Sequence, residues 1–200
     1  MSESLKISEL SFANPEITSY LDFSKVPSQD EYSVIPANTI VSVNMTITPG
    51  GHNDPARGWT GGWATRNPVT NSCYLKVKFK ILDGEFKGRQ ILSLIGLHSD
   101  KGPEYAAMGQ SFMKTILDSK NGISSKDNSE NADKLRVLKS LGDLNNINFV
   151  AKVSVGQDQH GNPKNEIKYA VTIDNPSYTK VDQPLTKDVL VDDELPFDPF

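Results

Sequence analysis

Two stretches in which apolar and polar residues alternate strictly constrain the fold of this 200-residue chain most. They cover residues 40–48 and residues 74–82. A period of two residues predicts a strand that buries one face and exposes the other. The apolar positions are Val41, Val43, Met45 and Ile47 in the first stretch and Leu75, Val77, Phe79 and Ile81 in the second. We therefore expect the chain to fold around a sheet with one solvated side.

Three further strands and a helical region follow. The third strand, residues 89–97, is apolar on both faces for most of its length. A helix is predicted after Gly102-Pro103, because proline suits the first helical position. Its sheet-facing residues, at helical spacing, are Tyr105, Met108, Phe112 and Ile116. Leu135, Leu138 and Leu141 predict a short second helix, and strands at 149–155 and 167–173 flank a turn at 158–163.

Three strands, a helical region and two strands form the order of the five-stranded oligonucleotide-binding (OB) barrel. We therefore predict a mainly β protein: a single five-stranded OB-fold barrel with one or two helices between strands three and four. Residues 1–33 are interpreted as an N-terminal extension and residues 34–175 as the OB-fold domain, with a mobile loop at 119–131. Residues 176–200 are interpreted as a disordered acidic tail.

Charge is distributed unevenly behind the net value of −4. Residues 56–120 carry ten bases against five acids, whereas residues 1–55 and the stretch from Asp182 each carry a net −5. Local charge governs binding to a polyanion, so the central block is the candidate nucleic-acid contact. A single Cys73 excludes an internal disulfide. With no signal peptide or membrane span visible, we expect a cytoplasmic protein.

A long glycine-rich loop, predicted between the first two strands up to about Ser72, contains both tryptophans. Its candidate binding residues are Arg57, Trp59, Trp63 and Arg66. Tryptophan is usually largely buried, and a nucleic-acid base can bury it by stacking, worth ~1–3 kcal/mol per base. The alternative is that one or both rings fold back as a lid on the barrel core.

The polar face of the second strand is predominantly cationic. It carries Tyr74, Lys76, Lys78 and Lys80, and Phe86, Lys87 and Arg89 continue this composition beyond the turn signal Asp83-Gly84. Alternate side chains on a strand lie about 6.5–7 Å apart, close to the phosphate spacing of an extended strand. Cations for phosphates and rings for bases suit single-strand binding without sequence preference. The alternative is a lysine face that is simply solvated.

The last nine residues combine four carboxylates with two phenylalanines and two prolines. They are Asp192, Asp193, Glu194, Leu195, Pro196, Phe197, Asp198, Pro199 and Phe200. Proline excludes a helix interior or a central strand, so we expect the segment to hang free. A basic pocket with an apolar floor on a partner suits such a sequence. The alternative is an ordinary frayed acidic end.

This segment closely resembles the acidic tip of bacterial and phage single-stranded DNA-binding proteins, which recruits replication and repair enzymes. Residues 57–117 and the closing hairpin around Gly161-Asn162 resemble phage-encoded members with one OB barrel. The similar motifs are Tyr74-Leu75-Lys76-Val77 and Leu82-Asp83-Gly84-Glu85-Phe86-Lys87-Gly88-Arg89. Residues 1–33 and 119–146 have no counterpart in the family.

Catalytic interpretations are weaker. Asp83, Glu85 and Lys87 imitate the acid-x-Lys metal site of some nucleases, but they fall in a predicted turn. The adjacent residues His98-Ser99-Asp100 cannot form a hydrolase triad. Cys73 with His52, His98 and His160 lacks zinc-ligand spacing. We expect no enzymatic activity, no metal and no cofactor.

The sequence therefore predicts a protein that coats single-stranded DNA without sequence preference during phage or bacterial replication, recombination or repair. Partner enzymes would bind its acidic tail, and a phage-encoded protein would act in the host bacterial cytoplasm. A protein-interaction module whose basic face docks an acidic partner is the alternative, and a Mg-dependent nuclease is a remoter one. The sequence leaves the oligomeric state open.

Overall fold

The computed structural model describes residues 33–184. Its strands are β1 Ile40–Thr48, β2 His52–Asp54, β3 Trp59–Arg66, β4 Cys73–Ile81, β5 Gln90–His98, β6 Ile147–Gln157 and β7 Pro163–Ala170. Two helices, α1 Glu104–Asn121 and α2 Glu130–Arg136, lie between β5 and β6, and short 3-10 turns cover Pro55–Arg57 and Leu141–Leu144. Within this part of the chain, neither helix combines the length and apolarity needed to cross a membrane. The predicted N-terminal extension, except Ser33, and the recruitment segment 192–200 lie outside the described residues.

The main sheet is antiparallel and curled, with β1 at its centre. Strand β1 pairs with β4 on one side and β6 on the other, and β5 and β7 follow on the outer edges of β4 and β6. The resulting order is β5-β4-β1-β6-β7, and the curl brings β7 alongside β5. The predictions of a mainly β protein and of one or two helices between the third and fourth predicted strands are confirmed. The last predicted strand, 167–173, lies instead at Pro163–Ala170, and β2 and β3 were not predicted.

The alternating pattern explains the core. In β1 and β4 every second side chain is buried, and the intervening ones are exposed or half-buried. Phe79 of β4 is fully buried and makes edge-to-face contacts with Phe149 of β6, at 5.8 Å between ring centroids, and with Phe112 of α1, at 6.3 Å. Such aromatic pairs add about 0.5–1.5 kcal/mol beyond their burial. The core therefore joins both halves of the sheet to α1.

Helix α1 approaches β5 unusually closely through two glycines. A Cβ atom built on Gly109 would lie 1.8 Å from the carbonyl oxygen of Gly96. Because the helix meets the strand through Gly109, the neighbouring Met108 points away and is 73% exposed. The prediction that Met108 packs on the sheet is wrong, whereas Ile116 is fully buried as expected.

The predicted loop 119–131 is shorter than expected. Residues 119–121 belong to α1 and residues 130–131 to α2. The hydroxyls of Ser124 and Ser125 and the backbone N–H of Ser125 donate to the carboxylate of Asp174, and these bonds lower the pKa of that carboxyl. The loop is therefore fixed to the end of the sheet by a carboxylate that no sequence motif distinguishes.

The second helix also differs from the prediction based on three leucines. It ends at Arg136. Leu141 begins a separate 3-10 turn, which the side chain of Ser140 caps. Arg136 Nε donates to the fully buried carboxylate of Asp118 at 2.7 Å, and Lys114 Nζ of α1 lies 3.0 Å from the same group. This paired buried charge holds α2 against α1.

Residues 176–184, predicted to begin the free tail, are bonded to strand β6 and helix α1. The side-chain amide of Gln183 accepts from the backbone N–H of Asn148 at 3.0 Å and donates to its carbonyl at 2.8 Å. The hydroxyl of Tyr178 donates to the Ser119 carbonyl at 2.8 Å. We call residues 176–184 the strap. The body therefore extends beyond the predicted boundary at residue 175.

Candidate nucleic-acid interface

The three predicted lysines form a row along the outer face of β4. Their directly opposite residues on β1 are Thr48, Thr46 and Asn44, and on β5 they are Leu94, Leu92 and Gln90, for Lys76, Lys78 and Lys80 respectively. Every one of these cross-strand neighbours is uncharged. Among residues 33–184, no carboxylate forms an ion pair with the three lysines. We call this surface the lysine face.

A sheet surface evolved only for solubility usually interleaves charges of both signs, because opposite charges on neighbouring strands attract. On the lysine face like charges instead stand two residues apart on one strand, where they repel one another. An anion placed along the row would relieve that repulsion at all three positions. The arrangement therefore suits a linear polyanion better than water alone.

Of the binding residues predicted in the turn between β4 and β5, only some are exposed. Lys87 is exposed, as are Asp83 and Glu85. Phe86, however, is partly buried and packs against the core, and the Arg89 guanidinium lies 5.7 Å from the centroid of its ring. A base-stacking role for Phe86 thus requires the ring to leave the core, which the sequence interpretation did not anticipate.

The predicted long loop before β4 is largely a hairpin. Strands β2 and β3 pair with each other, and the end of β3 pairs with the start of β4 through Thr65 and Arg66. The assignment of Trp59 and Trp63 to an open loop is therefore wrong, because both residues lie on β3 and both rings pack against the hydrophobic core. The alternative of rings folded onto the core describes the observed packing.

Trp63 is held by a specific contact with the 3-10 turn. A Cβ atom built on Gly142 would lie 2.5 Å from Trp63 Nε1 and 2.7 Å from Cε2. Only a residue without a side chain leaves room for the indole there. Trp63 therefore joins the hairpin to the segment that precedes β6, which is a structural role.

Trp59 is enclosed by neighbours from its own hairpin. The Arg57 guanidinium lies 5.2 Å from the centroid of the ring, and His52 makes an edge-to-face contact at 6.4 Å. Arg57 Nε is also 3.3 Å from the Asp54 carboxylate. A cation that already has a carboxylate and a ring as partners has less to gain from a phosphate.

Arg66 and Tyr74 lie where β3 joins the main sheet. Arg66 Nε donates to Asn71 Oδ1 at 2.6 Å, and Asn71 donates in turn to Asp100 at 2.7 Å. The bonds from Asn71 and from His98, which is 3.0 Å from Asp100, lower the pKa of the Asp100 carboxyl. Tyr74 is half-buried opposite Gly96 of β5. Arg66 and Tyr74 thus flank the lysine face at one end.

Of the residues considered for catalysis, His98 and Ser99 bind separate partners. Ser99 Oγ accepts from the backbone N–H of Lys101 at 3.2 Å, while His98 bonds Asp100. Within residues 33–184, no three His, Cys, Asp or Glu side chains converge on a point where they could hold a metal ion. Asp83 and Glu85 lie in the exposed turn.

Four residues that the sequence interpretation missed line a groove over the lysine face. They are Leu92 and Leu94 of β5 and Lys164 and Glu166 of β7. The groove has a volume of about 890 Å³ and also contacts Lys76, Lys78, Thr46 and Thr48. The signal for the leucines was present, since β5 reads as apolar on both faces, but a strand buried on both sides gives the same pattern.

Comparisons with family models and with curated proteins assign no family to this chain. No protein-family model matches this chain, and no curated protein matches it. The resemblance to single-stranded DNA-binding proteins therefore stays a prediction based on the motifs quoted above.

Proposed function

We propose that this chain binds single-stranded DNA without sequence preference and has no catalytic role. The observation that supports the proposal is the lysine face, a row of three cations whose cross-strand neighbours are all uncharged. Ammonium groups at this spacing match consecutive phosphates of an extended strand, and release of the condensed counterions drives such binding. Contacts to phosphate alone are independent of sequence.

The strand order is consistent with the proposal at the level of fold. The order β5-β4-β1-β6-β7, with β7 alongside β5, is the order of a five-stranded OB barrel, and we propose that the sheet belongs to that class. In OB folds the outer face of strands two and three binds oligonucleotides. Those strands correspond here to β4 and β5, the strands that carry the lysine face and the groove.

The acidic segment 192–200 completes the proposal. Its four carboxylates and two phenylalanines suit capture by a basic, partly apolar pocket on replication, recombination or repair enzymes. Recruitment of such enzymes to coated DNA is therefore proposed as the second activity of the chain, in phage or bacterial DNA metabolism.

The proposal is tested by fluorescence anisotropy of labelled oligo-dT, with a duplex of equal length as the control, at about 50 and 200 mM salt. We expect binding to the single strand that weakens as salt rises, with a log–log slope of about −2 if three phosphates each contribute ~0.7. The duplex should bind much more weakly. Absence of oligo-dT binding at the lower salt by folded protein contradicts the proposal and favours a module that docks an acidic protein. Mg²⁺-dependent cleavage of the strand would instead favour a nuclease.

A further inference from the structure

The outer face of β5 carries a second row of side chains beside the lysines. Leu92 and Leu94 are 75% and 56% exposed and stand directly opposite Lys78 and Lys76. Single exposed apolar residues are common, but these two are neighbours on one face of one strand. The core needs neither, because Ile91 and Ile95 already supply the buried row of β5.

The groove gives these leucines a defined position between two polar walls. Strand β4 pairs with β5 on one side, and β7 lies alongside β5 on the other. The β4 wall carries Lys76 and Lys78, whose opposite neighbours are uncharged, whereas the β7 wall carries Lys164 and Glu166 paired at 3.0 Å. Positive charge is therefore uncompensated on one wall only.

We propose that a single strand lies in this groove with its phosphates on the lysine wall and its bases over Leu92 and Leu94. This inference rests on the proposed function and names the part of the DNA that meets each row. Phosphates are drawn to the β4 wall and gain little from the β7 wall, where Lys164 is already paired with Glu166. This difference fixes the sideways orientation of the strand. The flat apolar faces of the bases then cover the two leucines, removing exposed apolar surface from water.

The arrangement also accounts for tolerance of sequence. Every base has an apolar face, so contact with leucine methyl groups makes no demand on the pattern of donors and acceptors at the base edge. The base edges point towards the Lys164–Glu166 pair, which offers both a donor and an acceptor. Aliphatic side chains on β5 thus take the role that the sequence interpretation gave to Trp59 and Trp63.

The test compares oligo-dT with a strand of the same length whose nucleotides are abasic. The variants are Leu92→Ala with Leu94→Ala, and Lys76→Ala with Lys78→Ala. Val137→Ala is the matched control, since Val137 is 74% exposed away from the groove, between α2 and the second 3-10 turn. We expect the leucine variant to lose about tenfold in affinity for oligo-dT, keep its affinity for the abasic strand and keep its salt slope. The lysine variant should weaken on both strands, with a shallower slope.

The outcomes separate this inference from the proposed function. If the wild-type chain binds oligo-dT and the leucine variant retains the full preference for dT over the abasic strand, the leucines do not contact bases and the inference is overturned. If the wild-type chain binds neither strand, the proposed function itself fails. Both leucines are exposed, so thermal unfolding should be unchanged. Should the double variant unfold, Leu92→Thr, which suits a strand, tests the same contact and must reduce the preference for dT.

Discussion

The lysine face and the β2–β3 hairpin have similar residue composition, cations beside apolar or aromatic side chains, but they differ in how those groups are paired. In the hairpin, Arg57 contacts both Asp54 and Trp59, and Trp63 packs against Gly142. On the lysine face, the cations stand opposite uncharged residues and the leucines stand in water. By composition, both regions are candidates for binding DNA. Because the side chains of the hairpin already contact other protein groups, the structure favours only the lysine face.

The largest expected effect comes from removing the indole of Trp63. Trp63→Ala should lower the free energy of unfolding by roughly 3 kcal/mol, because large aromatic-to-alanine changes leave a cavity against the core. Chemical denaturation measures this loss, and affinity for oligo-dT should change little at a temperature where the variant is folded. A stable Trp63→Ala protein that has lost DNA binding would break the comparison and return the hairpin to the binding site.

A somewhat smaller loss of stability is expected when the partner surface of Trp63 is changed. Gly142→Ala places a methyl group within 2.5 Å of the indole nitrogen, and such overpacking costs about 1–3 kcal/mol. The measurement is again denaturant unfolding, supported by a shift in the Trp emission spectrum. Because the indole sits on this turn, an unchanged midpoint would show that the contact is not held in solution.

On the lysine face the expected change is in affinity and not in stability. Lys76→Ala with Lys78→Ala should make the log–log salt slope less negative by about 1.4, at ~0.7 per phosphate, and weaken oligo-dT binding by about tenfold at low salt. Lys134→Ala with Lys139→Ala removes the same charge from exposed positions in and after α2. Equal losses in the two double variants would mean that net charge, and not the row, governs binding.

The smallest expected effect tests whether the ion pair with Asp54 keeps Arg57 from binding DNA. Asp54→Asn removes the carboxylate beside Arg57, which should raise affinity for oligo-dT no more than about twofold, since an exposed ion pair is worth ~0.2–1 kcal/mol. Glu130→Gln is the control, because Glu130 forms a comparable 2.7 Å pair with Lys134 on α2. A large gain for Asp54→Asn alone would place Arg57 close to the DNA path and narrow the difference between the two regions.

Acid pH offers an independent check on the anchored loop. Bonds from Ser124 and Ser125 lower the pKa of Asp174 in the folded state. This carboxylate therefore contributes stability above its unfolded pKa of about 3.9, and the contribution is lost as pH falls through the lower folded value. Asp174→Asn should accordingly reduce stability at neutral pH and shrink the difference from the wild type as the solution is acidified.

The sequence predicted the strands that bury one face in the core and expose the other to water. Strand β4 was expected at 74–82 and occurs at Cys73–Ile81, because alternation records burial on one side directly. Strand β3 was missed because Gly61 and Gly62 have positive φ angles of 75° and 69° and glycine disfavours strands. Its pairing with β2 and β4 outweighs that weak local preference, and a tertiary pairing of this kind is not visible in a single sequence.

The candidate site likewise contains residues that the sequence predicts and contacts that it does not. The lysine row was predictable, since an alternating strand places every second residue on one face. The partners of Arg57 and Trp63 were not predictable. The Arg57–Asp54 pair depends on the 3-10 turn between them, and Gly142 is 79 positions from Trp63 in the chain. The leucines of β5 were visible as residues but not as an exposed row, because sequence does not say which side of a sheet remains uncovered.

The bond between Gln183 and Asn148 sets a length scale for the acidic segment. Asn148 stands opposite Asn44, which stands opposite Lys80, so this attachment point lies two strand spacings, or about 10 Å, from the lysine row. Seven residues lie between Pro184 and Asp192, so eight residue-to-residue steps join them, and a chain covers at most ~3.6 Å per step. Whatever conformation those residues adopt, the carboxylates from Asp192 onwards begin within roughly 30 Å of the strap. If the proposed recruitment holds, an enzyme that binds these carboxylates stays within roughly 40 Å of the lysine row, the sum of the two distances, at a local concentration in the millimolar range.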